Sequence, residues 1–302
     1  MKHLALLAVV CAGCAVSGGV ESQWEPEAAG VTTYVNIMDF TSTDQGAWYD
    51  LVQKLDGEVT APGITPLTFY CSVSSIVGNV KDCAWTFAAS KSAVDASSAA
   101  LQVDAVTYQC HVHPKTTAPK LIALLQSSPD AIHEVLPGGT TSIADALPDC
   151  FTHPIGGTPI TATSSPTPTY VEASAYYTTA ANQAKWTATY AALKLAFDNI
   201  CGDTFCGSDY SDLQSLEFAC SVTKSSGNVK SCAWSFGGSY TLVKTTGALD
   251  LTSKNWTCPV AVHGTISQLI STVTGPGTDD AIHRPLPGGT SAYDSIAGCV
   301  AR

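Results

Sequence analysis

Cys71-Ser-Val-Ser-Ser-Ile-Val-Gly78-Asn-Val-Lys-Asp-Cys83-Ala-Trp-Thr-Phe87 returns later in the chain as Cys220-Ser-Val-Thr-Lys-Ser-Ser-Gly227-Asn-Val-Lys-Ser-Cys232-Ala-Trp-Ser-Phe236. Working outward, Ala100-Leu101 returns as Ala248-Leu249 and Cys110 as Cys258. Ala131-Ile-His133 with Leu136-Pro-Gly-Gly-Thr140 returns as Ala281-Ile-His283 with Leu286-Pro-Gly-Gly-Thr290, and Cys150 as Cys299. The offsets stay between 148 and 150, so only single-residue insertions separate the copies here. A period this long excludes solenoid and propeller units and implies two copies of one domain.

Within each copy the repeated stretch reads as strand, turn, strand. Phe69, Cys71 and Val73 alternate on one face, and Cys83, Trp85 and Phe87 alternate on the next strand. A turn near Gly78-Asn79 sets Cys71 opposite Cys83 and Phe69 opposite Trp85, and Phe218, Cys220, Cys232 and Trp234 repeat the arrangement. Ahead of the hairpin, Trp48, Leu51, Val52 and Leu55 form a helical stripe, matched over 184–200 by Trp186, Tyr190, Leu193 and Phe197. After it, a third strand is expected around Leu101–Tyr108 or Ala248–Leu251, and a fourth through Cys110 or Cys258. Short helices follow over Pro119–Gln126 and Ile266–Thr272. Pro137-Gly138 and Pro287-Gly288 suit type II turns. Ser142-Ile-Ala-Asp145 and Ser291-Ala-Tyr-Asp294 read as capping boxes with Asp for Glu.

The expected fold class is α+β in tandem, each copy a helix on an antiparallel meander of about four strands, disulfide-stapled. In outline this resembles cystatin/NTF2-like architectures, a likeness of fold that carries no function. The expected organisation is a leader over 1–14, a tether over 15–32, repeat 1 over 33–151, a Pro/Thr/Ser linker over 152–169 acting as a semi-extended spacer, and repeat 2 over 170–302.

The leader places the chain outside the cytoplasm. Met1-Lys2-His3 precedes an apolar run over 4–12, too short to span a bilayer. Two cleavage readings stand. Val10-Cys-Ala-Gly-Cys14 resembles a bacterial lipobox, with Cys14 lipidated, although Cys11 departs from the usual Leu. Alternatively, a signal peptidase cuts after Ala15. Of twelve cysteines, those outside the leader number an even ten, which in an exported chain means disulfides. Among the connectivities open, Cys71–Cys83 with Cys110–Cys150, and Cys220–Cys232 with Cys258–Cys299, suit the strand geometry, and Cys201–Cys206 closes a local loop private to repeat 2. The chain-entropy model values the hairpin bridges at about 3 kcal/mol and the longer ones at about 4.

Composition excludes some functions. The net charge is −11 with no compensating Lys/Arg cluster, which repels phosphate backbones and excludes nucleic acid as a partner. Charged residues are only 13%, so the surface should be rich in Ser, Thr, Ala and Gly. Phosphate-loop, dinucleotide, zinc-protease and Gly-x-Ser-x-Gly signatures are all missing from the sequence, and no cofactor is called for.

The remaining candidates each have a plain structural alternative. His133 and His283 are the repeat-matched pair: bases beside Asp130 and Asp280, or partners of the Pro-Gly-Gly turn. His111 and His113 form half of a metal site found only in repeat 1, and Asp203, Asp209 and Asp212 could supply Ca²⁺ oxygens or serve as turn and cap residues. Asn255-Trp-Thr257 is a glycosylation acceptor only in a glycosylating host. Trp85 and Trp234 read as core, while Trp24 and Trp256, without counterparts, read as contact-surface candidates.

Ile200-Cys-Gly-Asp-Thr-Phe-Cys206 through Asp209-Tyr210, with Leu216-Glu-Phe-Ala-Cys220, resembles a pattern in predicted secreted proteins and lipoproteins of myxobacteria and their relatives. The resemblance implies export and transfers no catalytic residue. The functional expectation is an exported, non-catalytic binding or structural module with a protein or cell-surface ligand, in which two domains on one tether engage a repetitive target by avidity. Membrane contact is expected only through an N-terminal lipid anchor. The alternatives are a secreted peptidase inhibitor that inserts a Pro-Gly-Gly turn into a cleft, and an enzyme working at His133 or His283.

Overall fold

Period-two alternation of aromatic and cysteine residues with Ala, Ser and Thr gives each hairpin strand two faces, and both are used. The computed structural model describes residues 33–204, 210, 212–276 and 280–300, with the backbone alone for 201–204. Copy one runs β1 (Tyr34–Asn36), α1 (Gln45–Glu58), β2 (Ile64–Ser74), β3 (Val80–Val94), β4 (Leu101–Val112), α2 (Ala118–Ser127) and α3 (Ile143–Cys150). Copy two repeats this as β5 (Tyr170–Glu172), α4 (Ala173–Tyr176), α5 (Ala180–Thr204), β6 (Gln214–Thr223), β7 (Val229–Val243), β8 (Leu249–Val260), α6 (Ile266–Val273) and α7 (Ala292–Val300). The sheets are antiparallel, ordered β1-β2-β3-β4 and β5-β6-β7-β8.

The strand count holds, but one division of it does not. The expected third and fourth strands are one strand, because Leu101 to Val112 pairs without a break against Val94 to Cys83. The fourth strand is β1 instead, which precedes the helix and pairs with the far end of β2 through Tyr34 and Ser74.

One face of each sheet lies under helices. Trp48 of α1 stacks on Phe69 at 5.7 Å, and Phe69, Trp85 and Phe87 continue the row. In copy two Phe197 of α5 packs on Trp234 and Phe236, with centroids at 5.9 and 4.9 Å. Cys71 faces Cys83 in register and is bonded to it, as Cys220 is to Cys232. Cys110–Cys150 and Cys258–Cys299 tie α3 and α7 onto β4 and β8. Both capping boxes form, with Asp145 and Asp294 accepting from the backbone and hydroxyl of Ser142 and Ser291. Gly138 and Gly288 take φ of 74° and 64°, and the next N–H closes each turn onto Leu136 or Leu286.

The other two sheet faces meet each other, giving four layers: helices, sheet, sheet, helices. The junction is built from small polar side chains. Ser239 Oγ lies 2.6 Å from Thr86 Oγ1 and 2.7 Å from Thr68 Oγ1. At the matching positions, Ser90 bonds Ser235 at 2.8 Å and Glu217 at 3.0 Å. Thr107 bonds Ser253, Ser72 donates to the Gly247 carbonyl, and Asn255 donates to Ala105. The pairs are related by an approximate two-fold, and the equivalent positions Ala88 and Gly237 face each other. Some of the Ser and Thr residues are internal all the same: Ser72, Thr86, Thr107, Ser235 and Ser239 are all buried. The reason is geometric, since the partner sheet covers the face that a lone domain would leave wet.

The linker is extended but not a free spacer. Ile155 exchanges backbone hydrogen bonds with Thr107 on the outer edge of β4. Thr158 and Thr161 N–H donate to Asp104 and Gln102, and Thr163 donates to Asp95. Covering an edge strand in this way also removes a site for unwanted pairing. The two copies are thus in contact along their sheets, and the linker lies along the edge of the first.

Candidate functional site

The histidine candidates are occupied by neighbouring carboxylates. His133 Nδ1 lies 2.7 Å from Asp130 Oδ1 and His283 Nδ1 2.5 Å from Asp280 Oδ1, in both cases on exposed side chains three residues apart. Asp130 raises the His133 pKa. Nδ1 of each ring thus faces an aspartate and not the Pro-Gly-Gly turn. His111 and His113 converge on one carboxylate, with His111 Nδ1 3.0 Å and His113 Nε2 3.4 Å from Asp82. The bond to Asp82 raises His111. Among the described residues no group of three or more His, Cys, Asp or Glu is placed to hold a metal ion.

The three aspartates are not described as a set. Asp209, Cys206, Cys14, the leader and Trp24 lie outside the described residues, as do the side chains of Cys201 and Asp203. Asp212 is described, and it turns inward. Its carboxylate accepts from Ser239 N at 2.8 Å and Ser239 Oγ at 2.6 Å. Trp256, expected at a contact surface, is buried in the core of copy two against Tyr210. The Asn255 amide is engaged at the junction, which takes it away from any glycosylation.

Asp212 helps to form a cleft of about 250 Å³ at the edge of the junction. Copy one supplies two walls: Trp48, Tyr49, Val52 and Asp56 from α1, and Thr68, Phe69 and Tyr70 from β2. Copy two closes it with Asp212 and Gln214. The α-helical period explains the first wall, because Trp48, Val52 and Asp56 are successive four-residue steps on one face. Asp56 is therefore a carboxyl on the inward side of an amphipathic helix. Burial pushes it up to about 7, and the Trp85 indole N–H, the one pull in the other direction, faces it without completing a hydrogen bond of normal geometry. Burial pushes Asp212 up to about 6 against the opposing bonds from Ser239. Tyr70 is raised by burial first and then by the negative charge of Asp212. Among the described residues no lysine, arginine or histidine lines this cleft.

A second cleft of about 360 Å³ occupies the related place in copy two, lined by Glu172, Trp186, Tyr190, Glu217, Phe218 and, from copy one, Ser92. Its Trp186–Phe218 pair, at 5.8 Å, repeats Trp48–Phe69. The polar groups differ. Glu217 accepts from Ser90 and Ser92, and Glu172, raised by burial, accepts from Ser174 N. On the helix, Lys194 stands where copy one has Asp56, if Trp48 is matched to Trp186.

Chemically, the first cleft offers two carboxyls that exchange protons near neutrality, between aromatic walls. Sequence reading singled out Asp212 for a different role and passed over Asp56, Tyr70 and Gln214. The signal for Asp56 was present: an acid eight residues after Trp48 on the apolar stripe. No family model, curated protein or solved structure matches the chain.

Proposed function

We propose that the protein is an exported, non-catalytic binding module that acts as one rigid unit and takes its ligand in the cleft between α1, β2 and the Asp212 segment. One observation carries the reading: residues of both copies complete this cleft, so the duplication makes a composite site that neither copy holds alone. The four disulfides support export, as does the short apolar leader. Among the described residues no helix is long and apolar enough to cross a membrane. The Pro-Gly-Gly turns are tied back, Pro137 by Lys115 N and Pro287 by His263 N, which gives the inhibitor alternative little projecting loop to use. The test is a thermal-shift screen of the whole chain against small soluble ligands, repeated on Val52→Trp, which fills the cleft. Ligands that stabilise the parent should fail on the variant, and equal stabilisation of both sinks the cleft as the site.

A second reading is favoured by the carboxyl pair itself. Two acids that titrate near neutrality in one cleft are the equipment of general acid–base catalysis. Turnover of chromogenic glycosides or esters that disappears in both Asp56→Asn and Asp212→Asn would replace the binding reading with this one.

A further inference from the structure

The pole where the chain enters β1 differs from the rest of the surface. The Thr33 carbonyl accepts from Ser75 N at 2.9 Å, so the N-terminal segment reaches the folded body beside the β2–β3 turn. The next two residues of that turn, Ile76 and Val77, are 73% and 54% exposed. The turn itself is firmly held. Gly78 N donates to Ser74 O, Ala118 N donates to Gly78 O, and the Phe40 ring lies so close beneath Gly78 that a Cβ there would stand 2.7 Å from it. The backbone therefore fixes two apolar side chains outward. Val80 N to Thr116 O and Lys115 N to Pro137 O gather the neighbouring loops at the same pole. They bring Lys115, Lys120 and the 54% exposed Val135.

Copy two has the same turn without this surface. Gly227 has φ 69° against 72° at Gly78, and Lys224 N donates to Thr169 O as Ser75 N does to Thr33 O. Yet Ser225 and Ser226 stand for Ile76 and Val77, Pro285 for Val135, His263 for Lys115 and Gln268 for Lys120. Lys224, at the place of Ser75, and Arg284, at the place of Glu134, are charges there that copy one lacks. The hairpin has no structural need of an exposed Ile-Val pair.

We propose that the β2–β3 tip is a membrane-contact site, with Ile76 and Val77 entering the interfacial zone of an anionic bilayer and Lys115 and Lys120 meeting its phosphate headgroups. Three observations favour lipid over protein. The leader-bearing N-terminus enters at this pole. Basic residues accompany the apolar tip in a chain of net charge −11. And two small side chains cover far less than a stable protein interface needs, about 800 Å² per partner, whereas a reversible contact at headgroup depth needs only a few apolar side chains beside basic ones. The inference rests on the exported-module reading only for which membrane is met, and is independent of the cleft.

The experiment is co-sedimentation of the chain from Val16 onward, which keeps every described residue and lacks Cys14, with phosphatidylcholine vesicles with and without phosphatidylglycerol. The parent should partition onto the phosphatidylglycerol vesicles. Ile76→Ser with Val77→Ser should lower the partition about tenfold or more, with folding preserved because copy two carries these residues. Lys115→His with Lys120→Gln should remove the phosphatidylglycerol dependence. No partition by the parent, equal partition by the Ser-Ser variant, or capture of a protein at the tip without vesicle binding overturns the proposal. Val52→Trp should leave partition unchanged, which separates this outcome from failure of the cleft.

Discussion

A Cβ placed on Gly237 would stand 2.5 Å from the Cβ of Ala88, which is its own counterpart in the other copy. Equivalent residues meet only near a two-fold axis, so these two positions mark where the copies turn about one another. On such an axis a duplicated sequence has room for one methyl group and not two, and here the second copy carries glycine. Gly237→Ala should destabilise the whole chain by about 1–3 kcal/mol through overpacking. Ala88→Gly combined with Gly237→Ala moves the methyl group to the other sheet and should recover most of the loss. Denaturant melts of the two single variants and the pair measure this, and additive losses would mean that the residues do not share one space.

Ala99 is the one described residue other than glycine with positive φ, 67°, and its counterpart Gly247 has φ 80°. An L side chain in the left-handed region crowds its own carbonyl, and copy two avoids this at the same hairpin. Ala99→Gly should therefore stabilise by about 1 kcal/mol, net of the added freedom of the unfolded chain. The readout is a rise of about 2 °C in Tm, and Gly247→Ala should produce the opposite shift.

Much of each copy could be read from particular residues. The Cys71/Cys83 and Phe69/Trp85 alternation specifies a hairpin with one buried face, and Ser142 with Asp145 specifies a helix start. What those residues do not specify is the fate of the opposite face. Thr68, Thr86, Ser90, Ser235 and Ser239 are small and uncharged, a pattern that fits a wet surface and a polar sheet junction equally well. Hydroxyls distinguish the two only by finding each other across the copies, and that is a long-range fact. The cleft was hidden for the same reason, because Asp56 and Asp212 belong to different copies and meet only once the sheets pack.

The acids of the cleft make stability depend on pH in a stated direction. Asp56 is raised from 3.8 to about 7 in the folded state, and Asp212 from 3.8 to about 6. The folded protein holds these protons more tightly than the unfolded chain, so folding is favoured most below about pH 4 as far as these groups act. That advantage is lost as pH rises through about 6 for Asp212 and about 7 for Asp56. Asp56→Asn should remove its share: the variant should gain stability over the parent at mildly alkaline pH and match it at acidic pH. Denaturant midpoints at the two pH values decide it, and a gain that is the same at both would show that ionisation of Asp56 is not the cause.

Trp234 and Trp85 are equivalent indoles with unequal partners. Trp234 Nε1 donates to Ser215 Oγ at 2.8 Å, and the Tyr190 hydroxyl lies 3.2 Å from the same oxygen. Copy one has Pro66 at the place of Ser215 and so no hydroxyl to offer, which leaves Trp85 facing Asp56. Ser215→Ala should therefore strand a fully buried indole N–H and cost about 1–3 kcal/mol, while Ser215→Thr, which keeps the oxygen, should cost less. The change should appear in the denaturant midpoint and in a shifted Trp emission. If Ser215→Ala is neutral, water has taken the hydroxyl's place beside Trp234, and the asymmetry between the two indoles has no energetic consequence.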